Sequence, residues 1–185
     1  MTMSMYQASI PQLTKMLSNL SAILKKGEEF AKAKGIEDAV LVNARLAPDM
    51  FPLAKQVQIA CDQVKNGMAR LAGIEPPKFD DSEATLAQLQ ERIAKTIAFA
   101  KTISPAQVDG SEAKEIKFSI KEWNFEFVGE QYLLTWIIPS FYFHVTTAYN
   151  ILRHNGLEIG KSDFLGGWVA FTMLWCNIFQ KSLRQ

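Results

Sequence analysis

The sequence predicts an all-α protein, a four-helix bundle with a small β-hairpin before the last long helix and a short C-terminal helical tail. Three observations carry this reading. Apolar residues recur at spacings of three and four through three long segments and again after residue 129, the period of one helix face. One stretch, 114–128, instead alternates apolar and polar residues with the period of two that a strand requires. Finally, 185 residues with 48% apolar and 21% charged content suffice for one core and do not require two. The division is a bundle domain over 1–166 and an apolar extension over 167–185.

The first helix carries Ile10, Leu13, Leu17, Leu20 and Leu24 on one face. Pro11 lies in its first turns, so the helix begins or bends there, and Gly27 and Gly35 punctuate the chain after Leu24. The second opens at APDMFP, with Asp49 as N-cap and Pro52 in the first turn. Its apolar face is Leu53, Val57, Ala60, Val64, Met68 and Leu71, and Gly73 followed by two prolines ends it. The third comes after the cap-like DDSE at 80–83 and runs through Leu86, Leu89, Ile93, Ile97 and Ala100 to about Ile103. SPAQVDG at 104–110 reads as a loop. In KEIKFSIKEWNFEFV, Ile116, Phe118 and Ile120, then Trp123, Phe125 and Phe127, alternate with polar residues as in a short hairpin. From Gly129 the helical pattern returns through QYLLTWII and Pro139 to a stop at Asn155–Gly156.

Composition narrows the function classes. Twenty basic against nineteen acidic residues, with no basic run, disfavour a nucleic-acid partner. Cys61 and Cys176 have no metal-like or CxxC spacing, which fits a reduced setting without a disulfide framework. The N-terminus lacks a basic region followed by an apolar core, so no signal peptide is expected and cytoplasmic residence is the default. Between Trp168 and Phe179 only Thr172 and Asn177 are polar. That run is too short for a transmembrane segment, which needs roughly 20 apolar residues. Burial against the bundle is the favoured reading of the tail; a self-association surface and a membrane-surface anchor stay open.

The last helix holds both histidines, His144 and His154. Ten helical residues separate them by about 80° of direction and about 15 Å of length. A zinc ion holds its ligands at about 2 Å, so the pair cannot chelate one ion from a continuous helix. His144 falls within the apolar arc formed with Ile137, Phe141, Ala148 and Ile151, whereas His154 lies beside Arg153 at the helix end. There an imidazole interacts favourably with unpaired carbonyls. His144 is either a hydrogen-bonded core residue or a polar group at the floor of a ligand pocket. Gln56 and Ser140 are its candidate partners, with Tyr149 about 140° away on the same helix.

Three strings carry a family resemblance: RLAPDMFPLAKQVQIACD at 45–62, FVGEQYLL at 127–134 and PSFYFHVTTAYNILRHNGLEIGKSDFLG at 139–166. Together they resemble the DUF1993 family, domains of unknown function in the DinB/YfiT-like bundle superfamily. The resemblance implies a four-helix bundle, often dimeric, with no established activity. The wider superfamily includes metal-dependent enzymes, some using small thiols. Their metal site resembles three histidines, one on the second helix and an HxxxH pair on a later one. Here His144 matches the first member of HxxxH, but the second falls on Ala148, and no histidine precedes residue 144. Gln56 and Asp49 are candidate substitutes, but a neutral amide is a poor transition-metal ligand, and Asp62 is worse placed, nearly opposite the apolar face of its helix. The resemblance therefore implies a member without the three-histidine site and without a metal cofactor.

Cys61 reads as a buried structural thiol, and Glu158, Lys161 and Asp163 as a solvated face, a pocket mouth or an interface. No glycine-rich phosphate loop, GxSxG or HExxH occurs. The leading expectation is a bundle that binds a small molecule or a partner near the last helix, with His144, Gln56, Trp136, Phe141 and Tyr142 lining the site. One rival is a metal-dependent enzyme with a degenerate divalent transition-metal centre at His144. The other is a structural homodimer that uses the tail. Whether the chain is an enzyme stays open.

Overall fold

Ser4 opens the chain's first helical turn. Its Oγ accepts from Gln7 N while Gln7 Oε1 accepts from Ser4 N, a reciprocal cap on α1 (Met5–Ala8). The computed structural model describes residues 3–167; positions 168–185, on which the three readings of the tail fall, lie outside the described residues. Ser9 turns the backbone, and α2 (Ile10–Lys34) starts with Pro11 in its first turn, where no N–H is needed. Gly27 does not punctuate α2 as expected. It is buried within the helix, and an added Cβ would lie at ordinary contact distance from Leu152 and Leu86. Gly35, with φ of 65°, does end the helix.

A one-turn α3 (Asp38–Val42) comes next, then α4 (Leu53–Ala72). Asp49 does not cap α4 as its sequence suggested. Pro52 occupies the cap position, and the first amide, Leu53 N, donates to Ala44 O of the preceding loop at 2.9 Å. The start of α5 (Leu86–Lys101) differs from expectation in the same way. Thr85 and Gln88 form its capping box, while Asp81 and Glu83 of the DDSE string turn to Arg92. SPAQVDG holds one helical turn, α6 (Pro105–Val108).

The hairpin forms where the period of two placed it. Strands β1 (Glu115–Ile120) and β2 (Trp123–Val128) pair antiparallel, with Glu115 opposite Val128 and Ile120 opposite Trp123. Beyond it α7 (Gly129–Gln131), a π-helical segment (Tyr132–Ile137) and α8 (Ile138–His154) run on without a break. Pro139 explains the wide turn. It lacks an N–H, and its ring collides with the carbonyl four residues back in a regular helix. Widening lets Ile138 N reach Leu133 O, five residues back. The chain then stops at Asn155–Gly156, as expected, before a short α9 (Lys161–Leu165).

Helices α2, α4, α5 and α8 enclose the core, with α4 between α5 and α8. Leu17, Leu20, Leu24, Val57, Val64, Met68, Leu89, Ile93, Phe141 and Ile151 are fully buried there. The fold is thus the predicted all-α bundle with a hairpin before its last long helix. Helices α4 and α8 are antiparallel, since Gln56 meets His144 and Gly67 meets Ile137. None of the described helices is long and apolar enough to cross a membrane.

Candidate functional site

The antiparallel crossing of α4 and α8 sets Gln56 against His144. Gln56 lies in the first turn of α4 and is only 1% exposed, so both ends of its amide need partners. Its Nε2 donates to Phe51 O at 3.0 Å. The other end, Oε1, then accepts from His144 Nδ1 at 2.7 Å, as the sequence suggested for this pair. His144 is half-buried, less enclosed than an apolar-arc position implies. Burial pushes its pKa down to about 4, so the imidazole is neutral at pH 7. With Nδ1 donating, Nε2 presents a lone pair. Nε2 makes no hydrogen bond among the described residues and is not sealed from solvent. The Phe143 ring stands at right angles to the imidazole, 5.2 Å away, and is 56% exposed; Phe51 is 55% exposed.

The other expected lining residues lie elsewhere. Phe141 is fully buried in the core, in edge contact with Tyr142 at 5.3 Å. Tyr142 is half-buried, with its phenol pKa raised by burial, and points about 160° away from His144 around the helix. Trp136 packs on the hairpin, 4.7 Å from Phe125, 5.6 Å from Phe118 and 5.8 Å from Phe127. The structure therefore brings together His144 and Gln56, with the Phe143 ring beside the imidazole and the Phe51 carbonyl behind the amide, while Trp136, Phe141 and Tyr142 lie elsewhere. His154 is exposed at the end of α8, as its helical direction predicted.

The donor set does not fit the three-histidine metal centre that the bundle superfamily implies. Ala148, one turn beyond His144, is fully buried and has no donor atom. The Nδ1 of His144 and both ends of the Gln56 amide are engaged with each other and with Phe51. Asp62 is held by Arg92 at 3.1 Å and Lys65 at 3.2 Å. Among the described residues no group of three or more His, Cys, Asp or Glu side chains is arranged to hold an ion. Cys61 is fully buried, and burial pushes its thiol up to about 12, so it is the inert core residue expected. In the segment after α8, Glu158 and Lys161 are exposed, while Asp163 accepts from Gly160 N at 2.8 Å and pairs with Lys26 at 2.6 Å. The first contact caps α9, and the second ties it to α2.

One cluster centres on Arg92, a residue not singled out from sequence. Arg92 of α5 is 2% exposed, yet it grips three carboxylates: Glu83 at 2.9 Å, Asp81 at 3.0 Å and Asp62 at 3.1 Å. Lys65 is 5% exposed, joins through Asp62, and sits 4.5 Å over the Phe79 ring. Lys55 completes the set through Asp81, so three cations balance three anions. A cleft of about 320 Å³ opens beside it, lined among others by Lys78, Phe79, Ser82, Gln88 and Lys95. The sequence does carry a sign of this cluster. Arg92 adjoins Ile93 and lies three residues after Leu89 and four before Thr96, inside the apolar stripe of α5.

Residues 5–165 match a family described as a domain of unknown function, DUF1993. No curated protein matches the chain. Among solved structures, the chain is similar to the crystal structure of a DinB family member protein from Shewanella denitrificans. The two are 47% identical over 88% of this chain and 92% of that one, with a TM-score of 0.80.

Proposed function

The chain belongs to the DUF1993 family of DinB-like helical bundles, and from that premise we propose that it binds a small molecule or a partner through the face around His144 and Gln56. The observation that carries this reading is the 2.7 Å hydrogen bond from His144 Nδ1 to Gln56 Oε1. A buried ring nitrogen needs a fixed hydrogen-bond partner, and an accessible one takes its partner from water or a ligand. Here one nitrogen is fixed from behind by a buried amide, and the other is left to meet an incoming group. Exposed Phe143 stands beside it, and Phe51, also exposed, holds the amide through its carbonyl. That combination orients a polar atom at the edge of apolar surface, as binding sites do.

The test is a titration of the full-length protein with a set of small aromatic compounds, monitored by NMR of the histidine and phenylalanine rings. Shifts centred on His144, Phe143 and Phe51 are expected. Shifts confined to other surfaces would reject this face as the site. Elemental analysis guards against the metal-dependent rival: stoichiometric zinc, nickel or iron that disappears in His144→Ala would overturn the proposal in favour of a metal centre.

A further inference from the structure

Hydrogen-bond direction around His144 fixes more than the presence of a site; it fixes what the site can accept. Phe51 O has no proton, so Gln56 Nε2 must donate to it at 3.0 Å. The amide oxygen of Gln56 is then turned to His144 and can only accept, which requires the proton on Nδ1 across the 2.7 Å contact. A neutral imidazole with that proton has a bare lone pair at Nε2. Gln56 is buried, so exchanging the two ends of its amide would set an oxygen against the Phe51 carbonyl and a donor against His144. The tautomer is locked by one backbone carbonyl two links away.

We propose that the His144 face takes a neutral aromatic hydroxyl compound, phenol-like, whose O–H donates to Nε2 while its ring packs against Phe143. This rests on the reading of the His144 face as a binding site and specifies its ligand class. Ionised carboxylates bring only lone pairs to a lone pair and are disfavoured. An aromatic body suits the half-exposed Phe143 ring, which stands perpendicular to the imidazole at 5.2 Å and offers a second ring its face or edge.

The test uses the full chain, labelled with ¹⁵N in its histidines, at pH 7. Long-range ¹H–¹⁵N correlation should show Nδ1 protonated and Nε2 bare. Phenol is then compared with anisole, which has the same ring without the proton, and with benzoate. Phenol should shift Nε2 and the Phe143 ring and bind about three- to tenfold more tightly than anisole, the factor one net hydrogen bond supplies. Gln56→Leu should remove that difference. If this variant does not fold, the tautomer and the phenol–anisole contrast in the unsubstituted chain decide the question. A bare Nδ1, or anisole or benzoate binding as well as phenol, would overturn the ligand class and leave the site standing. If none of the three probes perturbs His144 or Phe143, the site and the ligand class fall together.

Discussion

Arg92 ties α5 to Asp62 of α4 and to Asp81 and Glu83 of the loop between them. Its guanidinium is the common partner of the three; without it Asp62 keeps Lys65 and Asp81 keeps Lys55, but Glu83, mostly buried, loses its only cation among the described residues. Arg92→Ala should lower stability by about 2–3 kcal/mol in urea denaturation, less than for a fully buried network because Asp62 and Asp81 are partly solvated. Arg92→Met combined with Glu83→Gln should recover part of that loss, since Asp62 keeps Lys65 and Asp81 keeps Lys55. If the single variant is within experimental error of the parent, the cluster is not structural. Individual residues were unevenly legible in the sequence. Gln56 is one of two candidate partners for His144 in the sequence, with Ser140, because it flanks the apolar face of its helix while His144 falls within that of its own, where a polar group must find a partner. Arg92 could not be paired, because Asp81 and Glu83 sit in a string that reads as a helix cap. Trp136 was drawn away from the expected site by three hairpin phenylalanines whose position no helical period reveals.

Close approach between elements makes a second set of predictions. A Cβ on Gly67 of α4 would lie 2.7 Å from Ile137 Cδ1, the far end of a side chain on the π-helical segment. Gly67→Ala should therefore cost on the order of 1 kcal/mol, overpacking partly offset by better helix propensity. Adding Ile137→Val, which removes Cδ1 but keeps Cγ1 at 3.0 Å, should restore part of the lost melting temperature. Gly129 differs: its Cβ would meet Ser111 O, a backbone atom, at 1.9 Å. Gly129→Ala should cost about 3 kcal/mol or more, with no side-chain change able to relieve it. Equal penalties for the two variants would contradict this picture of how the hairpin and π segment dock. The long helices and the hairpin were legible because burial imposes its period on them directly. Helix starts were less so: the α4 amide Leu53 N is satisfied by Ala44 O, and a backbone acceptor leaves no trace in side-chain identity. The π turn had a visible cause, Pro139, but the sequence does not say whether a proline will end, kink or widen a helix.

Acid should unfold the molecule in two stages, because two kinds of group are shifted in the folded state for different reasons. Burial lowers the His144 pKa from 6.5 to about 4. The unfolded chain therefore takes up a proton as pH falls through 6.5, while the folded chain resists until about 4. Stability from this group is complete above that window and lost within it, on the order of 2 kcal/mol for a half-buried ring. Asp81 behaves differently. Burial raises its carboxyl, but the hydrogen bond from Lys55 and attraction to Arg92 outweigh burial and leave its pKa below 3.8. Asp163 is held below 3.8 chiefly by Lys26. Stability from both is present above 3.8 and lost as pH falls through their folded pKa values, below the histidine window. His144→Gln should flatten the curve of unfolding free energy between pH 6.5 and 4 and leave the lower stage untouched. Denaturant titrations at half-unit pH steps for both proteins would check this. Curves parallel throughout would show that burial of His144 does not set the acid response. A variant that also lost the lower stage would mean that the α4–α8 crossing and the Arg92 cluster unfold as one unit.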